Sequence, residues 1–113
     1  MERPTLEDLL AIEGVVAAGE FAADGKLLRY RARMDMSHEM AAMTARLCAP
    51  VNIMFETLAE QLGHHTEMKW LPAKGWAYSG GAWTVAVGGN FGVFVETAKA
   101  DFNELFRALV GRK

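Results

Sequence analysis

Cysteine, charge of one sign and long apolar runs are all scarce in this chain. One cysteine, Cys48, among 113 residues leaves no partner for an internal disulfide, and a lone thiol fits a reducing compartment. Lysine and arginine number 12 against 14 aspartates and glutamates, a net charge of −2. Without a basic excess, nucleic acid is not an expected partner. No apolar run approaches the roughly 20 residues that cross a bilayer, so no membrane segment is expected. The first ten residues, MERPTLEDLL, are acidic and lack the apolar stretch of a secretory signal. Internal repeats, linkers and low-complexity tracts are missing too. Apolar side chains are abundant instead, at 51% of residues, enough to fill a core. These features predict a single cytoplasmic domain over residues 1–113.

The segment LLAIEGVVAAGEFAADGKLLRY, Leu9 to Tyr30, carries the clearest local pattern. A short helix, Leu6–Ile12, is predicted, with Thr5 as N-cap, Asp8 three residues on and Gly14 after its end. Val15 to Phe21 reads as a strand apolar on both sides. Asp24-Gly25 then predicts a two-residue hairpin turn, because glycine adopts positive φ freely and aspartate tolerates it. In the second strand Leu28, Tyr30, Ala32 and Met34 alternate with Arg29, Arg31 and Arg33. Period two predicts a buried apolar face and a wet arginine face.

From Met36 to Leu62 the period becomes helical. Met36, Met40, Met43, Leu47, Val51, Met54, Leu58 and Leu62 form one bulky stripe. Asp35 or Ser37 is placed to cap the start and Gly63 to end it. Pro50 lacks the backbone donor a helix needs, so a kink or two helices end to end are expected there. Beside the stripe lies a strip of small residues, Ala41, Ala45 and Ala49, with Asn52 and Ala59 close by. Small residues spaced by four let helix backbones approach. The bulky stripe is therefore expected to cover a sheet, and the alanine strip to meet a second copy of the chain. The bland reading is that alanine is merely a good helix former on a surface.

Short extended segments follow: Glu67–Leu71 ended by Pro72, then Trp76–Ser79, Trp83–Gly88 and Phe91–Glu96. Gly80-Gly81 and Gly89-Asn90 are hairpin-turn pairs. Phe102, Leu105, Phe106, Leu109 and Val110 predict an amphipathic helix over Asp101–Val110, stopped by Gly111, with Arg112 and Lys113 beyond.

Little in this pattern points to chemistry. His64-His65 are adjacent, without the convergent ligands a metal needs. Cys48 sits mid-helix beside Leu47 and Phe55, a setting for a buried apolar residue rather than a nucleophile. The glycine pairs join strand to strand, whereas a phosphate loop joins strand to helix. No catalytic residue, metal or cofactor is expected. Arg29, Arg31 and Arg33 either bind an anionic partner or guard an exposed sheet edge. Trp70, Trp76, Tyr78 and Trp83 suit either an interface or a core.

The element order and the Leu9–Tyr30 segment resemble the roadblock/dynein light-chain family, an α/β (α+β) profilin-like fold. The SGGAW, GGNFGVF and KADFNELF segments are similar to a short prokaryotic subgroup of that family. The resemblance implies a mainly antiparallel sheet of five or six strands, with a long central helix and terminal helices. It implies a non-enzymatic homodimer that pairs central helices and joins edge strands, regulating or scaffolding a partner such as a small GTPase. The dimer surface expected is Ala41, Ala45, Ala49, Asn52, Ala59, Met68 and Trp70, with strands joining near Glu67–Leu71. The partner surface expected is Arg29, Arg31, Arg33, Trp76 and Trp83. The alternative is a small-ligand sensor with an aromatic pocket at Trp76 or Trp83, an analogy from fold alone.

Overall fold

The computed structural model describes residues 5–70 and 74–110. Its elements are α1 (Leu6–Leu10), β1 (Val15–Phe21), β2 (Leu27–Ala32), α2 (His38–His65), β3 (Gly75–Ser79), β4 (Trp83–Gly88), β5 (Phe91–Glu96), a 3-10 turn (Thr97–Lys99) and α3 (Phe102–Val110). The five strands form one antiparallel sheet in the order β2-β1-β5-β4-β3. The α+β, profilin-like architecture expected from the sequence is the one observed.

Local chemistry explains the entry to the fold. Thr5 and Asp8 close a capping box on α1: the Asp8 N–H donates to Thr5 Oγ1 at 3.0 Å and the Thr5 N–H to Asp8 Oδ2 at 3.4 Å. The Asp24-Gly25 turn differs from the two-residue expectation. Only Gly25 has positive φ, at +94°, and the Gly25 N–H donates to the Ala22 carbonyl at 2.8 Å. The loop is thus a longer turn closed by a glycine, with the Asp24 carboxylate accepting the Lys26 N–H at 3.0 Å. An added Cβ on Gly25 would lie 3.1 Å from Arg46 Cα, so the hairpin tip rests directly on α2. In β2 the register shifts between Phe21↔Leu27 and Glu20↔Arg29, leaving Leu28 as an extra, exposed residue. That bulge breaks the expected alternation. Leu27 and Tyr30 face α2, and Leu28 does not join them.

Two cores lie on opposite faces of the sheet. On one, Leu6 and Leu9 of α1 and Leu105 and Leu109 of α3 pack on Val15, Ala18, Ala86, Phe91, Val93 and Val95. Leu9 and Leu105 are fully buried, and truncation at such sites typically costs about 2–5 kcal/mol. Asp101 caps α3 by accepting the Glu104 N–H at 3.2 Å. On the other face, Ala45 and Cys48 of α2 pack on Phe21 and Val87.

Several sequence expectations are corrected here. No strand forms over Glu67–Trp70, and Leu71 and Pro72 lie outside the described residues, as do Gly111, Arg112 and Lys113. The sheet has five strands, and its second edge is β3. Helix α2 is neither split at Pro50 nor ended by Gly63: it runs unbroken for 28 residues from its Ser37 cap to His65. Above all, its faces are exchanged. Ala41, Ala45, Cys48, Ala49 and Ala59 are the buried residues, while Met40, Met43, Leu47, Met54 and Leu58 are exposed. The helix is apolar on more than one side, so periodicity alone does not choose the inward one. Small residues on the facing strands, Ala17, Gly19 and Gly92, border the same slot as Ala41 and Ala45, so the alanine side seats closest to the sheet.

Candidate functional site

Helix α2 crosses the sheet obliquely. Tyr30 Oη of β2 donates to the Met36 carbonyl just before the helix, at 3.2 Å. Cys48 meets Phe21 and Val87 mid-way. Asn52 and Phe55 reach Trp76 of β3: the indole N–H donates to Asn52 Oδ1 at 2.6 Å, and the Phe55 and Trp76 rings lie 5.8 Å apart. The Asn52 amide donates in turn to the Gly89 carbonyl at 3.2 Å. At 1.5 Å per residue the ten positions after Phe55 carry the helix roughly 15 Å beyond its contact with Trp76.

The outward flank of this helix carries a run of exposed apolar side chains. Leu47 is 60% exposed and Met54 62%, with Met40, Met43 and Leu58 on the same side. Thr44 and Cys48, beside that flank, line an apolar slot with Val85 and Phe94 of the sheet. Further along the same sheet face, Tyr78 is 69% exposed and Trp83 47%. In register, Tyr78 pairs with Val85, Val85 with Phe94, and Trp83 with Glu96, so all five share one face. A methionine- and leucine-rich helix flank therefore overlooks a partly uncovered aromatic sheet face ending at the open edge of β3. Contiguous apolar surface of this kind marks interaction sites.

The expected dimer residues fall out differently. Ala41, Ala45, Ala49 and Ala59 are closed off within one chain, and Asn52 is held by Trp76 and Gly89, so none of these presents a contact surface. Met68 and Trp70 are exposed in the segment after α2. The signal for the true open face was in the sequence, as the bulky stripe itself.

The arginines are engaged locally. Arg29 Nε lies 2.7 Å from the buried Glu20 carboxylate, Arg31 Nε lies 2.8 Å from Glu7 of α1, and Arg33 donates to the Leu10 carbonyl at 2.9 Å. Arg31 and Arg33 fasten α1 across the β2 edge, and Arg29 pairs within the sheet, with Glu20 of β1. Trp76 and Trp83 share a face of the sheet but differ in setting: Trp76 is half-buried and lines a cavity of about 230 Å³, whereas Trp83 stands exposed. Burial pushes the Cys48 thiol up to about 11, which keeps it protonated at neutral pH and unsuited to nucleophilic work. Among the described residues no three His, Cys, Asp or Glu side chains converge on a metal position, and no helix is long and apolar enough to cross a membrane.

Solved structures place the architecture. The chain is similar to a Roadblock/LC7 domain from Streptomyces avermitilis, with a TM-score of 0.73 and 12% identity over 92% of this chain and 84% of that one. It is also similar to the gliding protein MglB from Thermus thermophilus, with a TM-score of 0.69 and 16% identity over 93% of this chain and 82% of that one. The fold is a roadblock fold. The chain belongs to the DUF2173 family, described as an uncharacterized conserved protein, whose profile matches residues 5–110. No curated protein sequence matches it.

Proposed function

We propose that this protein is a non-enzymatic, cytoplasmic scaffold or regulator, a single roadblock-like domain that works as a homodimer. The observation that carries the reading is the exposed apolar flank of α2, beside a sheet face that ends at the open β3 edge. A second copy joined at β3 extends the sheet, places the two flanks together and covers Met43, Leu47, Met54 and Leu58. Homodimer interfaces are the most apolar class of protein contact, and methionine and aromatics are enriched in interfaces generally. This moves the dimer surface from the alanine strip to the bulky stripe.

The resemblance to roadblock proteins supports a small GTPase as the protein partner. Affinity capture from the protein's own cells, in GTP and in GDP, followed by mass spectrometry, tests that partner class. Enrichment of a GTPase in one nucleotide state only supports it. Equal recovery of the same proteins in both states, with no GTPase among them, contradicts it.

A further inference from the structure

The cavity beside Trp76 is distinct from the apolar flank of α2. It lies between the C-terminal half of α2 and the ends of the strands, and holds about 230 Å³. Pockets for drug-sized ligands run roughly 300–1,000 Å³, so this one suits only a small metabolite. Phe55, Trp76 and Ile53 provide apolar wall, and Glu56 and Lys74 bring one charge of each sign. The wall is fixed, because the Trp76 indole N–H is held by Asn52 at 2.6 Å and the Asn52 amide by the Gly89 carbonyl at 3.2 Å. One donor and one acceptor of that amide are thereby committed to the fold. Glu56 and Lys74 are in the opposite condition. Both are exposed, and neither pairs with the other or with another charge among the described residues.

We propose that this cavity binds a small zwitterion, a free α-amino acid with an apolar side chain. Its carboxylate pairs with Lys74, its ammonium pairs with Glu56, and its side chain lies against Phe55 and Trp76. Charge-assisted hydrogen bonds of this kind are the stronger class, and an apolar contact against an aromatic wall adds selectivity. The site needs no second copy of the chain, so its failure leaves the dimer reading standing, and the reverse holds too.

The test uses the full chain and the twenty free amino acids at millimolar concentration. The readout is the Trp76 indole N–H resonance, assigned by its loss in Trp76→Phe. An apolar amino acid is expected to shift that resonance saturably and leave those of Trp70 and Trp83 in place. Glu56→Gln and Lys74→Gln, both surface changes, are each expected to weaken binding about tenfold or more. The α-carboxamide form of the same amino acid is expected to bind wild type and Lys74→Gln alike. No shift at Trp76 with any amino acid, or a shift whose affinity in both variants equals that of wild type, overturns the proposal.

Discussion

The Trp76 indole N–H donates to Asn52 Oδ1 at 2.6 Å, which ties the edge strand β3 to the middle of α2. The same amide reaches the Gly89 carbonyl, so one side chain clamps the helix to β3 and to the β4–β5 turn. Replacing Asn52 with Leu leaves a half-buried indole donor and loses the second bond. The expected cost is about 1–3 kcal/mol in urea unfolding, with a changed tryptophan emission. Asn52→Asp keeps the acceptor for Trp76 and loses only the donor, so it is expected to cost less.

The arginine strand should separate into unequal members. Arg29 pairs with Glu20, which is buried, whereas Arg31 and Glu7 are both largely exposed. Exposed pairs are worth about 0–1 kcal/mol, and hydrogen bonds to a buried charge about 1.5–3. Chemical denaturation should therefore rank Arg29→Ala as clearly more damaging than Arg31→Ala. Equal losses would remove the buried carboxylate from the account.

Cys48 predicts a pH dependence with a definite sign. Its thiol is raised from 9.0 to about 11 by burial alone. The folded state therefore resists forming the thiolate, while the unfolded state forms it from about pH 9. The thiol's contribution is intact below that pH and is lost as pH rises from 9 to 11. The size is on the order of 2–3 kcal/mol at most. Comparison with Cys48→Ala isolates the thiol. The two unfolding curves should keep a constant separation below pH 9 and converge above it.

Gly88 faces α3 so closely that an added Cβ would sit 2.7 Å from Leu109 Cβ, while at Gly80 the closest approach is 3.9 Å. Gly88→Ala should cost about 1–3 kcal/mol by overpacking, visible as a lowered melting temperature. Gly80→Ala should be near neutral.

Elements whose period alone assigns residues to faces were legible from sequence. Helix α3, with Leu105 and Leu109 inward, and strands β4 and β5, with their alternating valines, lie where their periods put them. The Thr5 cap was equally plain, because Asp8 completes it three residues on. Helix α2 was legible as a helix, and its orientation was not. Alanines at 41, 45 and 49 and a bulky stripe from Met40 to Leu58 are both apolar, so the choice depends on the close approach the small strand residues permit. The arginine strand was legible as a sheet edge, and its side-chain pairings were not. A bulge at Leu28 has no sequence marker, and the partners Glu20 and Glu7 come from separate elements. The Trp76 cavity was half legible: the aromatic was visible, but its amide partner lies 24 positions away.

The central claim is that the bulky flank of α2, and not its alanine side, holds two copies together. Light scattering across a dilution series of wild type and of the Leu47→Glu, Met54→Glu double variant tests it most directly. Both residues are more than half exposed in the single chain, so the variant should fold. Wild type should show twice the 12.4 kDa chain mass and the double variant one chain mass. Ala45→Glu, at a buried position, should unfold instead of dissociating. A monomeric wild type, or a double variant that keeps the doubled mass, contradicts the account.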